Sequence, residues 1–236
     1  MVLGPLVRRV WDRLAGCTAI EKRAQDPEQR AAIAQEAQLL EQAHPTFPRL
    51  LDVAGAFAQP SAITLELVGG APLSTSTSTP SVLADLLTGL EHLHQRGFVH
   101  GDLKPDHLWV DEHGRGRILD LGLARAVGTP ARGGTPRYLP PEQLAGARAS
   151  VAGDLYSLGR ALQEALPTPG PDLRALLAAC VANDPRGRPN SALACINALG
   201  ETRRQLDVLG TFARIGSKAT LDRAVQVVER ADGRTL

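Results

Sequence analysis

The sequence predicts an α+β protein, in which a small strand-rich part carrying one helix is followed by a larger helical part. Three observations lead there. Short apolar runs bounded by turn residues lie ahead of position 70. One long helical pattern, residues 27–43, interrupts them. After position 143 the apolar spacing is helical, with proline and glycine as punctuation.

The first segment admits two readings. Leu3, Leu6, Val7, Val10, Trp11 and Leu14 fall at helical spacing, closed by Gly16, which suits an amphipathic helix. The alternative makes Val7–Leu14 a strand turning at Ala15-Gly16. Thr18–Lys22 reads as a strand either way. Residues 27–43 form a helix capped by Asp26, with Pro27 in its first turn and an apolar stripe through Ala31, Ile33, Ala37 and Leu40. His44-Pro45 stops it. Arg49–Phe57 and Ala62–Val68 are further strand candidates, and Gly69-Gly70 breaks the pattern. Ser74–Thr79 reads as an exposed connector. Thr79 and Pro80 then start a helix, Ser81–Gln95, which Gly97 ends. Near the end of the chain, Thr220 caps a helix through Leu221, Val225 and Val228.

Composition narrows the function classes. The net charge is +1, so no basic face exists for nucleic acid, and no nucleic-acid partner is expected. Cys17, Cys180 and Cys195 are too scattered for a disulfide framework or a zinc site, and read as small buried hydrophobes in a reducing compartment. The opening residues place charge after the apolar stretch, the reverse of a signal peptide, and no run is long enough to span a membrane. The expected location is cytoplasmic. Arginine supplies nearly all the positive charge, so the three lysines, Lys22, Lys104 and Lys218, stand out.

The chemistry concentrates in residues 98–142. Phe98-Val-His100-Gly-Asp102-Leu-Lys104 runs from a helix end into a loop. Leu108–Val110, a turn at 111–114, and Arg117–Leu119 form a hairpin that ends on Asp120-Leu-Gly122. That hairpin brings two carboxylates, Asp102 and Asp120, near each other. Such a pair serves phosphoryl transfer, one acid receiving a hydroxyl proton and the other holding a cation on the phosphates. Glycosidases also pair carboxylates, but need no lysine two residues after one of them.

These residues resemble the protein kinase family, whose catalytic loop reads His-Arg-Asp-Leu-Lys-x-x-Asn and is followed by Asp-Phe-Gly. Gly134-Thr135-Pro-Arg-Tyr138-Leu-Pro-Pro141-Glu142 resembles the end of the family's activation segment. Asp154-Leu-Tyr-Ser-Leu-Gly159 resembles the helix start that braces its catalytic loop. Asn183-Asp-Pro-Arg-Gly-Arg188 resembles the late motif whose arginine pairs with the segment glutamate, here Glu142. Gln35-Glu36-Ala37 is similar to the helix αC motif, and Ile63–Val68 to the gatekeeper and hinge. The ordered set covers roughly residues 7–200.

The resemblance implies a two-lobed protein-kinase-like fold. Residues 1–68 would be a reduced, strand-rich N-lobe with αC and hinge, 69–200 a mostly helical C-lobe, and 201–236 a helical extension. It implies Asp102 as catalytic base, Lys104 as the γ-phosphate partner, and Asp120 as a metal ligand, with ATP and Mg2+ or Mn2+ as cofactors. Lys22 and Glu36 would be the ATP-anchoring pair, and Glu66 and Val68 would meet adenine through the hinge. The bland alternatives are a solvated strand-end lysine for Lys22 and an exposed helix glutamate for Glu36. Lys104 with Thr135 is the serine/threonine pattern.

Two positions depart from the family. Gly101 replaces the arginine that reads activation-loop phosphorylation, so that switch should not be needed. His107 occupies the asparagine slot of the second metal ligand, either as a ligand or as a structural substitute. Only Gly4 and Gly16 precede Lys22, so the family's glycine-rich phosphate lid would be truncated. The function implied is a minimal serine/threonine protein kinase acting on a protein substrate. The alternative is a pseudokinase that regulates a partner protein. A small-molecule kinase of aminoglycoside-phosphotransferase type, which also carries His-Gly-Asp, is the more distant reading, because such enzymes lack the 134–142 and 154–159 motifs.

Overall fold

A computed structural model of the protein describes residues 5–12, 15–55, 60–75, 80–131 and 133–199. The hairpin reading of the first segment holds. Strand β1 (Leu6–Asp12) pairs antiparallel with β2 (Cys17–Arg23), from Leu6 opposite Arg23 to Asp12 opposite Cys17. Gly16 makes the reversal at φ +64°, a conformation a side chain disfavours, and Asp12 Oδ1 accepts the Ala15 N–H at 2.9 Å. Cross-strand pairing over seven residues overrides the helix-like spacing of Leu6, Val7, Val10 and Trp11. Leu3 and Leu14 of the helical reading lie outside the described residues.

Helix α1 (Pro27–Leu40) starts as expected, with the Asp26 side chain accepting the Gln29 N–H. It ends at Leu40, short of the expected 43, as the chain turns toward His44-Pro45, where proline disfavours helix in the residue before it. Strands β3 (Leu50–Ala54) and β4 (Ala62–Glu66) are shorter than the apolar runs 49–57 and 62–68. The four-stranded sheet runs β1-β2-β4-β3, so β2 and β4 are central and carry its buried residues Ala19, Lys22, Ala62, Ile63 and Leu65.

The chain then forms the two-residue strand β5 (Ala71–Pro72), a single 3-10 turn at Leu73–Thr75, and helix α2 (Pro80–Gln95). The Thr79 cap and most of the Ser74–Thr79 connector lie outside the described residues. Strands β7 (Leu108–Val110) and β8 (Gly116–Ile118) make the expected hairpin, with β5 at its edge. Strand β6 (Phe98–Val99) pairs with β9 (Arg125–Ala126). Helices α3 (Pro141–Leu144), α4 (Val151–Ala165), α5 (Pro171–Cys180) and α6 (Ala192–Ala198) complete the helical part.

One contiguous apolar cluster runs from Ile33, Phe47 and Ile63 through Leu86, Leu90 and Leu103 to Leu155, Leu177 and Ile196. Each such side chain contributes about 1.5–3 kcal/mol by leaving water. Of the cysteines, Cys180 and Cys195 are buried as expected, whereas Cys17 is exposed at the turn end of the β1–β2 hairpin. No helix among the described residues is long and apolar enough to cross a membrane. The helix read at Thr220, Leu221, Val225 and Val228 lies outside the described residues.

Candidate active site

Strand β2 carries Lys22 into the interior. Its Nζ lies 2.7 Å from Glu36 Oε1 and 2.6 Å from Asp120 Oδ1, joining a strand, helix α1 and the end of the β7–β8 hairpin. Lys22 is 8 % exposed and Glu36 2 %, so neither is the solvated surface charge of the bland reading. Burial opposes the Lys22 charge, but the two carboxylates outweigh it and raise the ammonium pKa above its usual value. Burial likewise pushes Glu36 up, while Lys22 pulls it back. Gln35, next to Glu36, donates to the Ala124 carbonyl and ties α1 to the segment after Asp120.

The loop between β6 and β7 is built on Asp154, in the first turn of α4. Its buried carboxylate accepts from the His100 N–H at 2.6 Å, the Gly101 N–H at 3.0 Å and His94 Nε2 at 2.9 Å. Burial works against its charge, but these donors hold its pKa below the usual carboxylate range. His100 Nε2 contacts the Leu119 carbonyl at 3.1 Å while its Nδ1 receives the Asp102 N–H at 3.3 Å, which orients the ring. Asp102 follows directly. Its Oδ1 accepts both the N–H and the hydroxyl of Thr135 at 2.8 Å, and its Oδ2 lies 3.3 Å from Lys104 Nζ.

Asp120 is the non-glycine with positive φ, +65°, among the described residues. Such a conformation costs of order 1–3 kcal/mol and persists only where the surroundings dictate it. Here Lys22 Nζ and the Gly122 N–H at 3.1 Å both hold Oδ1. Burial opposes the Asp120 charge, and the adjacent Lys22 ammonium more than reverses this, keeping the carboxyl well below its usual range. Oδ2 stays on the far side, 3.7 Å from His107 Nε2. His107 is buried and its Nδ1 lies 2.7 Å from the Asp102 carbonyl. Burial and the neighbouring His100 lower its pKa, favouring neutral imidazole. An ionised carboxylate beside an imidazole nitrogen is a donor set suited to a divalent cation.

Glu66, expected at the hinge, is placed apart from the Lys22 cluster. The Glu66 carboxylate receives Arg117 Nη2 and the Arg49 N–H, both at 3.0 Å, and lines a cavity of about 900 Å³ that Lys22, Asp102 and Asp120 do not touch. Its side chain therefore does not join the Lys22 cluster, because the buried Arg117 claims it. Val68, just past β4, is half-buried.

Two supporting residues, Arg117 and Arg125, take roles that the sequence does not signal. Arg117 also donates to the Thr46 and Phe47 carbonyls, at 3.3 and 3.2 Å, tying the hairpin to the chain before β3. Arg125 donates to the Leu123 carbonyl at 2.9 Å and the Pro130 carbonyl at 3.4 Å, beside Gly101. His94 supplies the third donor to Asp154. In an arginine-rich sequence an arginine is legible only as charge until its partners are known. The late pairing is present as the resemblance implies: Arg188 grips Glu142 with two bonds of 2.7 and 2.8 Å.

Comparison with known proteins adds an independent line. The protein kinase domain description matches residues 7–171. The serine/threonine-protein kinase pkn2 of Myxococcus xanthus is 34 % identical over 153 residues, covering 54 % of this chain and 18 % of that protein. The probable serine/threonine-protein kinase PknB of Lactococcus lactis is 31 % identical over 144 residues, covering 54 % of this chain and 23 % of that protein. Rhodopsin kinase GRK1 of Rattus norvegicus is 41 % identical over 93 residues, covering 37 % and 16 %. The matched regions amount to about a fifth of these relatives' length.

Proposed function

The chain belongs to the protein kinase family, and on that premise we propose that it phosphorylates serine or threonine hydroxyls of a protein substrate. The observation that carries this reading is the convergence of Lys22, Glu36 and Asp120, which lie 14 and 98 residues from Lys22 in sequence yet meet at hydrogen-bond distance. Bound ATP would supply the γ-phosphoryl group, with Mg2+ or Mn2+ neutralising its charge. Lys22, oriented by Glu36, would bind phosphate oxygens. Asp120 and His107 would hold the cation. Asp102 would accept the hydroxyl proton through Oδ2, since Thr135 occupies Oδ1, and Lys104 beside it would meet the negative charge of the transferring group. Glu66 and Val68 would present main-chain groups to adenine.

We assign residues 1–68 to an N-lobe and hinge, 69–200 to the C-lobe, and 201–236 to an extension. The free cysteines support a cytoplasmic location.

A γ-phosphate transfer assay on a generic protein substrate tests the reading. Asp102→Asn should lower turnover by about 10²–10⁴-fold while leaving the melting temperature nearly unchanged. Equal transfer by both proteins would defeat it. A second reading, a kinase-shaped regulator of a partner protein, is favoured by His107 in the cation position. It predicts no transfer by wild type under any cation.

A further inference from the structure

Resting on the phosphotransfer reading, we propose that the cation position between His107 and Asp120 selects a divalent ion that accepts imidazole nitrogen, Mn2+ or Co2+, over Mg2+. The main chain fixes the ring. His107 Nδ1 lies 2.7 Å from the Asp102 carbonyl oxygen, which can only accept, so Nδ1 carries the proton and donates. In the neutral ring the lone pair is then on Nε2. That nitrogen faces Asp120 Oδ2 across 3.7 Å, too far for a hydrogen bond. It is the spacing of two ligands on one ion, roughly 3.0–3.7 Å for metal–ligand bonds of about 2.1 Å. A ring N–H given to a backbone carbonyl, with the opposite nitrogen left for metal, is how metal-binding histidines are generally held.

The other groups nearby leave this gap to a cation. Asp120 Oδ1 is occupied by Lys22 and the Gly122 N–H, so Oδ2 is the oxygen that faces His107. Lys104 lies against Asp102 Oδ2. Among the described residues no group of three or more His, Cys, Asp or Glu side chains could hold a metal alone. Two protein ligands are too few for tight binding by themselves, so the remaining positions fall to phosphate oxygens and water, and cation binding becomes dependent on nucleotide. Replacing an oxygen ligand by imidazole handicaps Mg2+, which demands hard ligands, far more than Mn2+ or Co2+.

The test measures binding of a non-hydrolysable ATP analogue by calorimetry with Mg2+, Mn2+ and Co2+, for wild type and His107→Asn. The Mn2+-to-Mg2+ affinity ratio should be about tenfold or more higher in wild type than in the variant, which also cancels the intrinsic preference of the nucleotide for Mn2+. Pulsed EPR of bound Mn2+ should show nitrogen hyperfine coupling in the wild-type complex. Isotopically labelled histidine should change that coupling, a check that needs no substitution if His107→Asn folds poorly. Nucleotide binding with equal ratios and no histidine coupling would overturn the cation assignment and leave the phosphotransfer reading standing. No nucleotide binding with any cation would overturn both.

Discussion

The guanidinium of Arg125 borders the space that a side chain at Gly101 would need. A Cβ at position 101 would lie 2.8 Å from the Leu123 carbonyl oxygen and 3.3 Å from Arg125 Nε, and Gly101 itself sits at φ +78°. Position 101 is thus closed to the phosphate-reading arginine of the family pattern. The segment it would have governed is held by Arg125 from within, by β9 pairing with β6, and by Gly128 and Thr129 bonding to Ala149.

Arg125→Ala should therefore loosen residues 123–131 without unfolding the protein. The two lost bonds to carbonyls are worth about 1 kcal/mol each. Faster hydrogen exchange confined to this stretch is the expected result. Gly101→Ala should instead lower global stability by at least about 1–2 kcal/mol, because the left-handed backbone is strained for any L side chain and the carbonyl of Leu123 must move.

Arg188→Ala should be among the more damaging single changes. The Arg188 side chain is fully buried and, besides Glu142, serves the carbonyls of Ala182, Ala152 and Asn183. Removing one partner of a buried pair costs about 3–5 kcal/mol, and Glu142, partly reached by water, places this case at the lower end. Arg188→Lys should recover little of it, since a single ammonium cannot reproduce the fork. Chemical denaturation of the three proteins measures both effects.

Lys22→Met should make stability fall as pH rises. Without the ammonium, Glu36 is a buried carboxylate already pushed upward by burial and now without its cation. Its folded pKa then exceeds the unfolded one, so the folded state binds the extra proton and stability declines as pH rises through the carboxylate range and above. Wild type, in which Lys22 pulls the Glu36 pKa back toward its usual range, should show a clearly shallower slope than the variant. A variant melting temperature no lower at pH 8 than at pH 5 would count against the buried triad.

His44 should give the wild type the opposite slope at acid pH. Burial, aided by nearby His92, pushes its pKa down from 6.5 to about 4. The unfolded chain takes up the proton first, so stability is fully present above pH 6.5 and is lost as pH falls toward 4. The drop amounts to roughly 3 kcal/mol at most. His44→Asn should flatten the melting-temperature profile over that window.

Much of the candidate site was legible beforehand because the resemblance rests on particular residue types at short spacing. Asp102, Lys104 and Asp120 stand within one loop and hairpin, and the hairpin boundaries followed from turn residues at 111–114. Asp26 and Pro27 likewise marked the start of α1, where the cap is a local interaction. The first segment was less legible. Its spacing suited a helix as well as a strand, and the choice rested on β2, which offered a ladder of partners that local periodicity does not encode. Strand ends at 54 and 66 were overextended for the same reason, since apolar runs continue past the last paired residue.

By itself the sequence determined the α+β order, the family resemblance and the identity of the chemical groups, since these depend on residue type and local spacing. The tertiary structure alone decided that Lys22 and Glu36 are a buried pair, that Arg117 draws the Glu66 carboxylate away from them, and that Arg125 stands against Gly101. It also set the His107 ring, whose proton is fixed by the Asp102 carbonyl. The physical reason is common to all four. A side chain's burial, charge state and proton position depend on which groups the fold packs against it, and packing is a property of the folded chain.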